Sequence, residues 1–226
     1  MVLAGCSGAP EQQLTGSDED QSIELPQDNV VSEPSAPQPV SINVGDGVLT
    51  SPNDFQVAVL FYKIVGLEPP FDKWAKSDRR TEVVNEFDRE EVASRIQQEL
   101  LLAASSVADI GYIEINTDSR FGEYDMPSQG FRLEVFDPDR FWHWSYGGDQ
   151  YILTMNNANA VDLWKINPDD ARKIVESGRG RNVDLKIKIK IVGAVPQPNG
   201  GGVLQGNIVS YQVFTGDGRK IGEMNY

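Results

Sequence analysis

The feature that most constrains the fold is the run from Val183 to Val192, where Val183, Leu185, Ile187, Ile189 and Ile191 alternate with Asp184, Lys186, Lys188 and Lys190. Successive side chains of a strand point to opposite faces, so this period of two puts the apolar groups on one side and the charges on the other. Only a sheet with one buried face and one wet face satisfies the pattern, because a slip of one residue would exchange the two faces.

Shorter runs read the same way. Gly111-Tyr112-Ile113-Glu114-Ile115, Phe131 to Val135, Phe141 to Tyr146, Tyr151 to Met155, Val203 to Phe214 and Arg219 to Met224 are separated by Gly, Pro and Asp turns. Two helices precede them. Ser51-Pro52 offers an N-cap and a proline at the first helical position, ahead of Phe55, Ala58, Val59, Tyr62 and Val65. Asp88 and Glu91 have capping-box spacing before Val92, Ile96, Leu100, Ala103 and Val107, which predicts a helix over 89–106 with Trp74 and Phe87 packed around it. A further short helix should start at Asn167-Pro168. The expectation is an α+β domain over 49–226, with N-terminal helices packed on a mostly antiparallel β-sheet and one inserted short helix.

The first fifty residues differ in kind. They hold eight of the 34 acidic residues and none of the 20 basic ones, so of the net charge of −14 only 26 acids against 20 bases, or −6, remain for 51–226. All twenty aromatics lie at Phe55 or later. A segment without them buries too little apolar surface to offset its ordering entropy, so residues 7–48, with Asp18-Glu19-Asp20 and the prolines Pro26, Pro34, Pro37 and Pro39 among them, read as a disordered acidic tether. As a flexible chain such a tether spans roughly 35 Å, and fully extended it approaches ~120 Å.

At the start of the chain, Leu3-Ala4-Gly5-Cys6 resembles the lipobox of bacterial lipoproteins. The resemblance implies cleavage before Cys6, acylation of its thiol with a diacylglyceryl group, and residues 1–6 as the remnant of a signal whose n- and h-regions lie upstream. It implies a protein of the bacterial cell envelope held to a membrane by lipid, with Ser7 rather than Asp after the cysteine favouring the outer membrane. The competing reading is a cytosolic protein with an incidental cysteine. The folded part loosely resembles an uncharacterised bacterial envelope domain.

Composition removes several function classes. One Cys and one His cannot build the usual Cys/His zinc site, and no Asp-rich stretch has calcium-loop spacing, so neither a metal nor another cofactor is expected. The acidic balance disfavours nucleic acid, which needs clustered cations. His143 lies in Phe141-Trp142-His143-Trp144-Ser145-Tyr146 without a nucleophile turn beside it, so packing is its default role. Trp142, Trp144 and Tyr146 share one strand face that suits either sugar stacking or the core, with the core favoured.

Two basic clusters stand out: Lys73, Lys76, Arg79 and Arg80, and Arg179 and Arg181 with Lys186, Lys188 and Lys190. Lysines on a sheet's wet face discourage aggregation, and they also attract anionic headgroups or wall polymers. The expected function is a non-catalytic binding or scaffolding lipoprotein. Its candidate contacts are Lys186, Lys188, Lys190, Trp142 and Trp144, and its expected partners are the membrane, through the lipid on Cys6, and an anionic envelope polymer or protein. The alternative is an envelope hydrolase using a carboxylate pair that spacing does not single out.

Overall fold

The computed structural model describes residues 44–176 and 180–226. Strand β7, Asn182–Pro196, contains the alternating run, and Val183, Leu185, Ile187, Ile189 and Ile191 are all buried. Each such side chain contributes about 1.5–3 kcal/mol by leaving water, which holds β7 at the centre of the sheet. Its neighbours are β2, Ile110–Asp125, and β8, Gly201–Phe214, both antiparallel to it.

Around that trio lie β1 (Gly47–Thr50), β3 (Gly130–Leu133), β4 (Trp142–Tyr146), β5 (Asp149–Met155), β6 (Leu163–Lys165) and β9 (Lys220–Asn225). The strand order is β4-β5-β8-β7-β2-β3-β6. β1 joins the first part of β2, and β9 joins the second part of β8. The β1–β2 and β5–β8 pairings are parallel and the others antiparallel.

The expected architecture is therefore corrected. The body is a nine-stranded mixed sheet curled into a half-barrel, with 41% strand against 31% helix, and most of its helices are short. A strand precedes the first helix, and β2 runs sixteen residues where only Gly111 to Ile115 alternates clearly. The polar stretch Asn116 to Ser119 is drawn into the strand because Tyr112 to Arg120 pairs residue by residue with Asn182 to Lys190. Tertiary hydrogen bonding overrides the weak local signal. The end of the tether also joins the sheet, since β1 begins at Gly47.

The helices are α1 (Asp54–Ile64), α2 (Phe71–Lys76), α3 (Arg79–Glu82), α4 (Arg89–Ala104), α5 (Ala158–Val161) and α6 (Pro168–Glu176). Helix α1 starts two residues later than Ser51-Pro52 implies. Asn53 accepts from the Gln56 N–H at 2.9 Å while Gln56 accepts from the Asn53 N–H at 3.1 Å, and this reciprocal box fixes the start. Val57 to Phe61 are buried against the inner sheet face, so α1 is the lid of the core.

Helix α4 ends at Ala104 in a 3-10 turn, Ser105–Val107, and Asp88 makes no side-chain cap bond. It packs on α2 and α3 rather than on the sheet, with Ala93 and Ile96 meeting Ala75 in a separate small cluster. Phe87, expected to pack there, is 88% exposed. Ala103 is exposed as well, because α2 is too short to cover the last turn of a helix of sixteen residues.

At the other end of the half-barrel, Phe121, Phe131 and Trp164 meet with ring centroids 4.6–6.1 Å apart. Aromatic pairs of this kind contribute about 0.5–1.5 kcal/mol beyond their burial. Gly222 in β9 lies directly on the Trp164 indole, where any Cβ would overlap Nε1, and β9 thereby comes close to β6.

Candidate binding surface

Because α1 covers the inner face and the lysines alternate with the buried residues of β7, no described element covers the outer face of the central sheet. On it, Lys186, Lys188 and Lys190 stand opposite Asn116, Glu114 and Tyr112 of β2. On their other side they face Gln212, Ser210 and Asn207 of β8. Alternate residues of one strand are roughly 7 Å apart, so the three ammonium groups begin as a short row.

The row is not uniform. Lys186 leans diagonally to Glu114, with Nζ 3.0 Å from Oε1 and side-chain exposures of 39% and 19%. The Thr50 hydroxyl donates to the same Oε1 at 3.2 Å, so Glu114 is held in place as the counter-ion. Lys188 makes the equivalent diagonal one pair further along and meets a neutral ring, with Nζ 4.6 Å from the centre of Tyr112. A cation over a tyrosine face is stabilised by about 0.5–1 kcal/mol without losing its charge. Lys190 is exposed. The net positive end of the face is therefore Lys188 and Lys190 with Tyr112 and Asn207. At the opposite end Asp118 and Asp184 stand directly across from each other and are both exposed.

Trp142 and Trp144 lie on the inner side of β4, opposite Leu153 and Tyr151, and are half-buried against the core. Trp144 Nε1 donates to the Pro52 carbonyl at 3.2 Å. Tyr146 on the same face packs on Phe55 and Trp74 with centroids 5.2 and 4.9 Å apart. The structure thus brings the three lysines together and puts the two tryptophans on the opposite side of the sheet. His143 is exposed on the outer face opposite Ile152, and no described side chain hydrogen-bonds to its imidazole.

The first basic cluster is largely neutralised by its own acids. Lys76 pairs with Asp72 at 2.9 Å, and Arg80 pairs with Asp78 at 3.1 Å and with Glu99 at 2.7 Å. Lys73 lies 3.6 Å from buried Asp149. Arg181 donates to the Gly122 carbonyl and covers the Phe121 ring, while Arg179 and Cys6 lie outside the described residues.

The chain matches no family model, no curated protein and no solved structure. Five cavities formed by described residues, of about 130 to about 480 Å3, each hold at most one acidic side chain. A glycosidase pair needs two carboxyls facing one cleft about 5–9.5 Å apart. Asp118 and Asp184 stand opposite each other, but both are exposed on a sheet face that does not exclude water. Hydrogen bonds from Arg80, Lys173 and Lys220 hold the carboxyls of Asp78, Asp170 and Glu223 below the ordinary carboxylate range, so these three are poor proton donors. Among the described residues no group of three His, Cys, Asp or Glu could hold a metal ion.

Tyr112, Glu114 and Asn207 belong to the surface and were not singled out in the sequence. Tyr112 and Glu114 share a strand face in Gly111 to Ile115, and that alternation was the available signal. Their partners depend on the register with β7, which no local pattern encodes.

Proposed function

We propose that this protein is a lipid-anchored lipoprotein of the bacterial cell envelope, acylated at Cys6. In this reading the body over 49–226 is a non-catalytic binding module whose outer sheet face contacts phosphate or carboxylate groups of an envelope polymer, lipid or protein. The observation that carries it is the unequal lysine row. Lys186 is neutralised by Glu114, whereas Lys188 and Lys190 keep their charge side by side on an uncovered sheet, with Tyr112 and Asn207 beside them. Two free cations flanked by a ring and an amide suit an anionic group that also offers hydrogen-bond acceptors. An acidic tether would let this face search near the anchoring membrane, and Ser7 after the cysteine favours the outer membrane.

The test compares Lys188→Gln/Lys190→Gln with Glu114→Gln/Lys186→Gln, which removes the neutral pair without changing the net charge of the face, for retention on anionic vesicles and on cell-wall material at low salt. The first variant should lose most retention and the second little. Equal losses, or none, would refute the assignment of the face. For the anchor, a precursor with a complete signal peptide should partition to membranes, and Cys6→Ser should release it. A Cys6→Ser protein that stays membrane-bound overturns the lipidation reading.

A further inference from the structure

Among the described residues the sheet has an edge that nothing covers. Strand β4 ends the strand order and, of the described strands, pairs with β5 alone. The two strands are joined by the two-residue turn Gly147-Gly148, with φ of +61° and +86°, which only glycine adopts without strain at both positions. A two-residue turn makes Tyr146 and Asp149 a hydrogen-bonded pair, and the alternation continues through Trp144–Tyr151 and Trp142–Leu153. The backbone N–H and C=O groups of His143 and Ser145 must then point away from β5. No backbone bond to another described residue uses them, and both residues are exposed.

Edges of this kind are normally blunted by charge, proline, brevity or a cover. The other edges are. β6 has three residues including Lys165, β9 carries Lys220 and Glu223, these two approach each other across the half-barrel, and β1 has four residues. By contrast, no residue from Phe141 to Gly148 is Asp, Glu, Lys or Arg, in a chain of net charge −14. A second copy of so acidic a protein is repelled by acidic parts of this molecule's surface, whereas β4 offers it an edge with no like charges to oppose.

We infer that β4 is a self-association edge, on which β4 of a second copy docks antiparallel about a two-fold axis through Trp144. In that register His143 lies opposite Ser145 of the second copy and the reverse, so the outward groups of both strands are satisfied by four main-chain hydrogen bonds. Trp144 meets its own counterpart and Trp142 meets Tyr146, which continues the inner aromatic row across the axis. One strand pair buries little area, and interfaces below about 1,200 Å2 are transient, so the dimer forms at tens to hundreds of micromolar protein. It strengthens as salt screens the net charges, opposite to the salt response of the lysine face.

Analytical ultracentrifugation of the full chain over about 10–500 μM, at low and high salt, tests this. The wild type should dimerise reversibly, and more so in salt. Ser145→Pro removes an N–H that bonds nothing in the monomer, as edge strands tolerate, and should leave a folded monomer by circular dichroism. Two further variants fix the register. His143→Lys/Ser145→Lys opposes Lys to Lys and should weaken association by about tenfold. His143→Glu/Ser145→Lys opposes Glu to Lys across the axis and should restore it.

A wild type that stays monomeric at every concentration and salt overturns the inference, as does a dimer that Ser145→Pro leaves intact. A monomer whose His143 and Ser145 amides resist hydrogen exchange assigns the edge to another segment of the same chain and also overturns it.

Discussion

Glu114→Gln should make the protein bind anionic surfaces more tightly. The carboxylate neutralises Lys186 through a contact of 3.0 Å. Glutamine is isosteric and its amide oxygen can still accept from the Thr50 hydroxyl, so only the charge is lost. The pair is partly exposed, which limits the stability cost to about 0.2–1 kcal/mol. On the binding side, Lys186 joins Lys188 and Lys190 as a third free cation roughly 7 Å along the strand. A lysine near an anionic membrane surface contributes about 1 kcal/mol, which corresponds to about fivefold in affinity. Co-sedimentation with vesicles of rising anionic lipid content, at about 50 mM and about 300 mM salt, measures the change, and the gain should shrink at the higher salt. A urea melt run alongside checks that the variant is folded. Unchanged or weaker binding by a folded Glu114→Gln protein would refute the claim that this face meets the anion, because no other described group is freed by the substitution.

Two predictions concern the fold. Gly222→Ala should destabilise by about 1–3 kcal/mol and reduce near-ultraviolet dichroism, because the new methyl overlaps a Trp164 ring that Phe121 and Phe131 prevent from moving aside. Asp78→Asn keeps a competent cap for α3 but loses the charge that pairs with Arg80, and should cost ~0.5 kcal/mol at pH 7. Since hydrogen bonding from Arg80 depresses the folded carboxyl below its ordinary range, that contribution is complete at neutral pH and lost as pH falls through the depressed value. Urea melts from pH 7 downward should therefore show a deficit that is complete at neutral pH and shrinks as the medium becomes strongly acidic. A deficit independent of pH rejects the charge as its cause.

Individual elements show how far local pattern reaches. Helix α6 begins at Asn167-Pro168 as its residues imply, with Asn167 Oδ1 accepting from the Asp170 N–H at 3.0 Å, because capping is decided within one turn of chain. Helix α1 has two competing starts two residues apart, and the reciprocal bonds between Asn53 and Gln56 win over the Ser51-Pro52 signal. Phe131 to Val135 reads as one strand, yet β3 stops at Leu133 and a 3-10 turn, Glu134–Phe136, buries Val135 and Phe136. Alternation of apolar residues does not distinguish a strand end from a turn that faces the same core.

The amino-acid sequence by itself determined which side of β7 is wet, because period two leaves the lysines no other face once the isoleucines are buried. It also determined the acidic character of the first fifty residues and the loose boundary where aromatics begin. Only the tertiary structure decided the half-barrel, the parallel positions of β1 and β5, and the neighbours of each lysine. The reason is physical. Burial and charge alternation are properties of single positions, whereas strand order and register are set by long-range hydrogen bonds that many local patterns tolerate equally. Lys186 is neutralised and Lys188 is not because the same diagonal step across the β2–β7 register brings the first to Glu114 and the second to Tyr112, and that step exists only when those two strands meet.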